Sequence, residues 1–343
     1  MTDVLASSSP ADAPAPQAPA SGPAPPSVAY LWTADDQENS RLDFQHHMLS
    51  DCAWSGKPYL APAEAVLGPE GPDGGEGKAI LDLGTGSGIW AIDMALRWPK
   101  AKVLGVDLAP KVRPTPPNCR LEVHDINSGL SQWDGQFDYV HTRLISSGIR
   151  DYPLMLSRIA PLLRPGGLLD LSEWDFRIYA ATFEPLPLVP RGQPGHSWVA
   201  EWLWALRQAG AARGGQMDAA SHMEQWVRES GVWEDVGYWD TWIATSAPTG
   251  ETDEELAHNT ALWLRMKEDA KHFAAAARPV FAQKMAPEKL EELMTGLRWE
   301  VDEGPVSMYA RLQTVWGRKV AVGSPPKTEV PGESEPVKEG SSS

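Results

Sequence analysis

Between residues 79 and 174, short apolar runs alternate with segments in which apolar residues recur every three or four positions. The apolar runs have the length of buried strands and cover residues 79–83, 103–108, 119–125, 137–143 and 168–174. The segments with helical spacing are residues 89–98 and 151–163. The first ends before Pro99, and the second ends before the sequence Arg-Pro-Gly-Gly, which does not continue a helix. Because strands that alternate with helices pair in parallel, the pattern predicts an α/β fold with a parallel sheet.

The pattern changes after residue 175, where helical spacing dominates. Helices are predicted near residues 196–210, 219–230, 252–282 and 287–298. Residues 232–243 and 307–319 instead alternate between apolar and polar positions, as strands do. We expect these two strands to close the sheet edge as an antiparallel hairpin with a helical insertion between them.

Both ends of the chain differ from this core in composition. Residues 1–27 are built mainly from Ala, Pro and Ser, and residues 323–343 have a similar bias. Such segments offer little to bury, so we expect two disordered tails. The folded region is then residues 28–322, with one half to about residue 175 and a second half over about 176–322.

Charge and cysteine content exclude several classes of ligand. The 343 residues include 30 Lys and Arg against 46 Asp and Glu, a formal net charge of -16, which argues against a direct nucleic-acid ligand. Cys52 and Cys119 form no disulfide framework, and no cluster has metal-ligand spacing, so no metal is expected. Without a signal peptide or an apolar run of membrane-spanning length, we expect a cytoplasmic or nuclear protein that does not enter a membrane.

A glycine-rich loop, Asp82-Leu83-Gly84-Thr85-Gly86-Ser87-Gly88-Ile89, follows the first predicted strand. Glycines there let a ligand approach the backbone at the carboxyl end of a parallel strand. The dinucleotide fingerprint places its third glycine three positions after the second, whereas these glycines are spaced by two. Asp82 would repel a pyrophosphate but attract the ammonium group of S-adenosylmethionine (SAM), which carries no phosphate. The loop therefore favours SAM over a nicotinamide dinucleotide.

Two further aspartates end the next strands. Asp107 ends the second strand and is placed to accept both hydroxyl hydrogens of a ribose. Asp125 ends the third strand and could accept a hydrogen bond from an adenine amino group, with Leu108 and Ile126 on either side of the ring. For each aspartate alone, a helix cap or a turn is the alternative. Three at successive strand ends favour a ligand site.

These segments resemble class I SAM-dependent methyltransferases, and more narrowly the LaeA-like methyltransferases of fungal secondary metabolism. The resemblance rests on ILDLGTGSGIWAIDMALRWPKAKVLGVDLAP, PPNCRLEVHDI, FDYVHTR and LLRPGGLLDLSEW, and it extends to residues 36–49 and 308–319. It implies a Rossmann-like seven-stranded, mostly parallel sheet with helices on both faces and a helical cap. Residues 28–175 would then be the cofactor half, and 176–322 the cap and closing strands.

The resemblance also implies which residues bind SAM. They are Asp82, Gly84, Gly86, Asp107 and Asp125, with Thr85 and Gly88 in the same loop, Leu108 and Ile126 beside the adenine, and His141 and Arg143 on the same edge. The fifth strand, LLDLSEWDF, and the middle helical region depart most from the family. The acceptor pocket is therefore the part that the resemblance defines least.

Methyl transfer from a sulfonium needs no acid, because the leaving group is a neutral thioether. A base is needed only when the attacking atom keeps its proton at neutral pH. His141, at the end of the fourth strand, is the best-placed candidate, and His46 and Glu173 are the others. Arg143 could anchor an anion or pair with Glu173. For each histidine, a packing or capping role is the alternative.

The resemblance implies that the segment at residues 36–49 forms a helix that is part of a lid over the cofactor. Arg41 and Gln45 could bind the SAM carboxylate there, or could belong to a solvated face with Arg41 paired to Glu38 or Asp36. His46 and His47 are adjacent, so at most one of them is expected to face the pocket.

Tryptophan is unusually frequent, with 16 residues that are concentrated after residue 173. Trp198 and Trp202 have helical spacing, and either pack in a core or wall an acceptor pocket for a flat, hydrophobic or cationic molecule. We predict a SAM-dependent methyltransferase acting on oxygen or nitrogen of a small (secondary) metabolite. The alternatives are a LaeA-like regulatory methyltransferase in a protein complex and an NAD-dependent oxidoreductase. A regulatory protein partner and a homo-oligomer both stay open.

Overall fold

The computed structural model describes residues 35–245, 252–304 and 307–321. The predicted tails, residues 1–27 and 323–343, lie outside them. The strands are β1 (Ala79–Leu83), β2 (Lys102–Asp107), β3 (Cys119–Val123), β4 (Phe137–Arg143), β5 (Leu163–Ala180), β6 (Trp233–Ala244) and β7 (Met308–Lys319). The α-helices are α1 (Asp36–His47), α2 (Ala63–Leu67), α3 (Ile89–Arg97), α4 (Tyr152–Leu162), α5 (Trp198–Ala211), α6 (Met223–Glu229), α7 (Asp253–Ala282) and α8 (Pro287–Glu303).

One seven-stranded sheet has the order β3-β2-β1-β4-β5-β7-β6. Strands β1 to β5 pair in parallel, and β7 is antiparallel to both β5 and β6. The predicted closing pair is confirmed, with α7 and α8 between its strands. The strand order changes direction between β1 and β4, which is where open α/β sheets bind ligands.

Both faces of the sheet are buried by helices. Along β1, Leu81 and Leu83 pack into one apolar core with Tyr152 and Ile159 of α4, while Ile80 packs on the opposite face with Met94 of α3. Because successive side chains of a strand point to opposite faces, the run AILDL is apolar on both sides. The predicted Rossmann-like sheet with helices on both faces is confirmed.

A third core lies in the helical part after β5. It joins Phe176 and Ile178 at the end of β5 with apolar side chains of α5, α7 and α8. The strand β5 is longer than the predicted 168–174, because its second part continues beyond the other parallel strands and pairs with β7 after a register shift between Trp174 and Ile178. The cap is therefore built directly on an extension of the sheet.

Several other predicted boundaries were wrong, among them the end of the last helix, which is Glu303 and not residue 298. The third strand ends at Val123, because Asp125 caps a short 3-10 turn through Asn127 N–H. The helix expected over 219–230 is a 3-10 turn followed by α6. The segment at 36–49 is α1 followed by a π-helix, Met48–Ala53.

Candidate functional site

A deep cavity opens at the carboxyl ends of β1, β2 and β4. Its volume is about 210 Å³, far above the roughly 10–15 Å³ that one water molecule needs. The walls come from the glycine loop between β1 and α3, from α1, and from the cap helices α5, α7 and α8. One cavity therefore joins the predicted cofactor loop to the cap.

The glycine loop has a backbone that side chains would disrupt. Gly84, Gly86 and Gly88 all have positive φ, of +78°, +54° and +79°. A Cβ atom at Gly84 would lie 2.2 Å from Ile145 Cγ2. The N–H of Gly84 donates to Val106 O at 2.8 Å, which ties the loop to β2. Position 84 therefore needs glycine for its conformation and for the space around it.

Asp82 is buried at the start of this loop and lines the cavity. Its Oδ2 accepts a hydrogen bond from the Thr85 hydroxyl at 2.6 Å, and its Oδ1 lies 2.8 Å from Nδ1 of His141. A carboxylate only accepts, so the His141 Nδ1 carries the proton. The His141 ring stacks on Trp90 with centroids 3.8 Å apart. Two neighbours therefore fix the orientation of the Asp82 carboxylate.

Asp107 is also buried and lines the same cavity. Its Oδ2 accepts from Gly86 N–H at 2.9 Å, and its Oδ1 accepts from Ala109 N–H at 3.1 Å. Burial raises the pKa of Asp107, and these backbone hydrogen bonds oppose that shift. The carboxylate thus joins the end of β2 to the glycine loop and keeps further lone pairs for a ligand.

The third aspartate lies at the opposite end of the site. Asp125 Oδ1 accepts from Asn127 N–H at 2.9 Å, so Asp125 is a cap as well as a cavity residue. Leu108 and Ile126 line the cavity beside it. His124, which the sequence interpretation missed, lines the cavity too, and its Nε2 lies 2.7 Å from Gly129 O. The sequence could have indicated His124 as a site residue, because it lies between the end of β3 and the predicted site residue Asp125.

The lid residues are buried and are not on a solvated face. Arg41 makes two hydrogen bonds to Glu38, at 2.7 and 2.8 Å, and contacts Asp269 Oδ1 at 3.3 Å. Gln45 donates to Asp269 Oδ2 at 2.9 Å. All four residues line the cavity. Asp269, on α7, escaped prediction because it is 224 positions from Gln45 and no local pattern marks it.

His46, a candidate base from the sequence, does not appear in the cavity wall. Its Nδ1 lies 3.2 Å from Arg143 Nη2, and its Nε2 lies 3.2 Å from Asp93 Oδ2. Because a guanidinium only donates and a carboxylate only accepts, the ring is neutral with its proton on Nε2. Burial lowers the pKa of His46. His46 therefore has a structural role, because both of its ring nitrogens are occupied by hydrogen bonds and neither can act as a base.

Arg143 lines the cavity, but it hydrogen-bonds to His46 and not to Glu173. Glu173 lies under the turn after β4, where its Oε1 accepts from the N–H groups of Ile145 and Ser146 at 3.0 Å and from the Tyr152 hydroxyl at 3.2 Å. Burial raises the pKa of Glu173 to about 7. Glu173 is outside the cavity wall, and its contacts are those of a residue that holds a turn.

The tryptophans divide between the cavity and its surroundings. Trp174 and Trp202 line the cavity, together with Phe273 of α7. Trp198 is not in the cavity wall and packs over Gly296. The guanidinium carbon of Arg191 lies 4.9 Å from the centroid of the Trp198 ring. The cap therefore uses one tryptophan of the predicted pair for the cavity and the other for packing.

Two further properties concern the described residues as a whole. No helix there has both the length and the apolar character needed to cross a membrane. No group of three or more His, Cys, Asp or Glu side chains in the same ranges is arranged to hold a metal ion.

Comparison with known proteins identifies the family. Residues 45–232 match the family described as a methyltransferase domain. The chain belongs to this methyltransferase family. Membership confirms the expected Rossmann-like fold class and the expected cofactor, SAM.

Two relatives illustrate the range of roles around this methyltransferase domain. The secondary metabolism regulator laeA of Coprinopsis cinerea is 32% identical over 293 residues, which cover 84% of this chain and 70% of the regulator. The methyltransferase pytC of Aspergillus terreus is 34% identical over 208 residues, 59% of this chain and 57% of that protein. A solved structure, Haemonchus contortus phosphoethanolamine N-methyltransferase 2 in complex with SAM, has 15% identity and a TM-score of 0.45, covering 86% of this chain and 61% of that one.

The residues at the carboxyl edge fit SAM. Asp82 and Asp107 are buried carboxylates that face one cavity, and the loop between them has no side chains at Gly84 and Gly86. Such a site suits a ligand that has an ammonium group and a ribose but no phosphate. The carboxylates attract an ammonium group and accept hydrogen bonds from ribose hydroxyls, whereas they repel a phosphate.

Proposed function

We propose that this protein transfers a methyl group from SAM to an oxygen or nitrogen atom of a small metabolite. One observation carries the proposal: the glycine loop with its buried carboxylates and the apolar walls of the cap belong to the same cavity. A donor on the loop and an acceptor under the cap would share one space, whose apolar cap walls would reduce the access of water to the reacting atoms. Exclusion of water and alignment of the reacting atoms are what methyl transfer requires of a protein.

The buried carboxylates supply the proposed contacts to the donor. Asp82 would attract the ammonium group, Asp107 would accept from the ribose hydroxyls, and Asp125 would accept from the adenine amino group. Leu108 and Ile126 would pack on the adenine faces. When bound, SAM supplies an electrophilic methyl group on a sulfonium centre.

We assign His141 a positioning role in this reaction. Its Nδ1–H holds Asp82, and its stacking on Trp90 prevents the ring from turning freely toward an acceptor. Glu173 and His46 are engaged in structural contacts and are not proposed as bases. The acceptor would then be a group that loses its proton readily, such as an acidic phenol, or a nitrogen whose lone pair is free at neutral pH, such as an aromatic amine, which releases its proton to solvent after the methyl group is transferred.

The regulator among the relatives favours a second candidate function. Its similarity covers 84% of this chain, more than that of the methyltransferase pytC. Under this candidate, the protein acts in a complex with a regulatory partner and its acceptor is a protein.

Labelled SAM distinguishes these functions. The pure protein would be incubated with methyl-labelled SAM and either a metabolite extract or a nuclear protein fraction. We expect label in small molecules; label confined to proteins would overturn the proposed function in favour of the regulatory one.

Asp107→Asn tests the donor site in the same assay. Replacing a charged hydrogen-bond acceptor by a neutral amide should weaken SAM binding roughly 10- to 100-fold. Calorimetric titration with SAM measures this change. Asp134→Asn is the matched control, because Asp134 is exposed and is not in the cavity wall. Equal affinity of both variants would show that Asp107 does not bind the donor.

A further inference from the structure

We propose that the acceptor is a neutral, ring-containing, largely apolar molecule that packs against Trp202 and Phe273 under the cap. This inference rests on the proposed function and adds the charge and shape of the acceptor. We call its site the cap chamber, defined by six apolar lining residues: Trp174, Phe176, Trp202, Met266, Phe273 and Leu297.

The cap chamber combines side chains from four elements. Trp174 and Phe176 come from β5, Trp202 from α5, Met266 and Phe273 from α7, and Leu297 from α8. The rings of Trp202 and Phe273 meet edge to face, with centroids 5.4 Å apart. A fixed pair of large aromatic side chains offers a planar molecule much apolar area and little loss of conformational entropy.

The charged groups at the boundary of the chamber are already bonded to one another. Arg41 is held by Glu38 and Asp269, and Asp269 also accepts from Gln45. Burial raises the pKa of Asp269, and its contacts with Arg41 and Gln45 oppose that shift. An ionic acceptor would have to lose its hydration without gaining an unpaired opposite charge from these groups, which disfavours its binding.

The other two charged lining groups on the cap side are engaged as well. Asp175 accepts from Arg311 at 2.9 and 3.1 Å and from the Tyr179 hydroxyl. Arg177 donates to Ser221 at 2.8 Å, where the contact is exposed to solvent. Among the described residues that line the cap side, apolar surface and the buried indole N–H of Trp202, which has no hydrogen-bond partner, are therefore what remains for an acceptor. Both are uncharged, and this favours a neutral acceptor with at most an accepting polar atom near Trp202.

Three naphthols of different net charge test this inference. They are 2-naphthol, which is neutral, 6-hydroxy-2-naphthoate, which is anionic, and 6-(aminomethyl)-2-naphthol, which is cationic. Each would be titrated by calorimetry into the full chain saturated with S-adenosylhomocysteine. We expect 2-naphthol to bind and both charged probes to bind at least about tenfold more weakly, because their charge must be desolvated. Equal or tighter binding of either charged probe would overturn the inference.

Variants on α7 locate the binding. Ala270 is a half-buried lining residue. The larger side chain of Ala270→Leu would occupy part of the cavity without removing any existing contact. Ala275 is exposed on the same helix, and Ala275→Leu is the matched control. We expect only Ala270→Leu to weaken 2-naphthol binding, by at least about tenfold. Equal effects, or none, would place the probe elsewhere and overturn the assignment of the cap chamber.

Trp202→Ala, compared with Trp204→Ala, tests the ring contact. Trp204 lies on the same helix, is 47% exposed and is not in the cavity wall. Only the first variant should lose 2-naphthol binding. If S-adenosylhomocysteine binds and 2-naphthol does not, the acceptor inference alone fails; if S-adenosylhomocysteine itself does not bind, the proposed function fails.

Discussion

Asp82, Asp107 and Asp269 show which site residues a sequence can reveal. Asp82 and Asp107 end parallel strands, and strands of one sheet present their carboxyl ends at one edge, so the pattern of short apolar runs sufficed to bring them together. Asp269 lies in the middle of a long helix and meets Arg41 only because α7 folds back on α1. That contact depends on the path of the cap, which local periodicity does not record.

Gly84→Ala isolates the steric requirement of the loop. Both Gly84 and Gly135 have positive φ, +78° and +68°, so alanine strains the backbone at each by about 1–2 kcal/mol. At Gly84 the new Cβ also collides with Ile145, whereas nothing lies within 4 Å at Gly135. We expect Gly84→Ala to lower the free energy of unfolding by about 1–3 kcal/mol more than Gly135→Ala. Urea denaturation measures both, and equal losses would mean that the loop has room for a side chain.

Glu173 predicts a pH dependence of stability. Its pKa rises from 4.5 to about 7 on burial. Between these values the folded state binds a proton that the unfolded state has lost, so stability falls as pH rises. Relative to Glu173→Gln, the free energy of unfolding should drop by about 3 kcal/mol from pH 4.5 to pH 7 and then level off. Denaturation curves at several pH values check this; a constant difference between the two proteins would contradict it.

At the scale of elements, the chain pattern predicted the order of strands and helices but not where β5 ends. The sequence after Trp174 has no turn signal of the usual kind, and Phe176 takes a positive φ of +51° at the shift in register with β7. The paired residues of β7 are 128 to 132 positions away, so the extension follows from tertiary pairing. The position of the cap, and with it the acceptor wall, depends on this extension.

Helices α1 and α7 are joined across the cavity by Asp269. Asp269→Ala should lower the free energy of unfolding by about 1–3 kcal/mol, because it leaves polar groups of Arg41 and Gln45 buried without this partner. Glu268→Ala is the neighbouring control, since Glu268 is exposed and its pair with Lys271 is worth less than about 1 kcal/mol. Urea denaturation compares the two variants. If Glu268→Ala costs as much, the α1–α7 contact is not what stabilises the lid.

At the scale of the whole molecule, the sheet and the cap form different parts of the cavity. The order β3-β2-β1-β4 places the carboxylates and the glycine loop on one edge. The insertion between β6 and β7, with the extension of β5, covers that edge with apolar side chains. The negative net charge of the chain suits a cationic donor and disfavours phosphate-bearing ligands.

This division predicts how the protein responds to two adenosine-containing cofactors. A ligand that binds only the folded state at 100 times its Kd stabilises by about 2.7 kcal/mol. For a chain of this size, that corresponds to a rise in Tm of roughly 4 °C. SAM should produce this shift, and Asp107→Asn should reduce it. NAD at millimolar concentration should produce none, because Asp82 repels its pyrophosphate. A comparable shift with NAD would favour the oxidoreductase, and would mean that the spacing of the glycines does not select the cofactor.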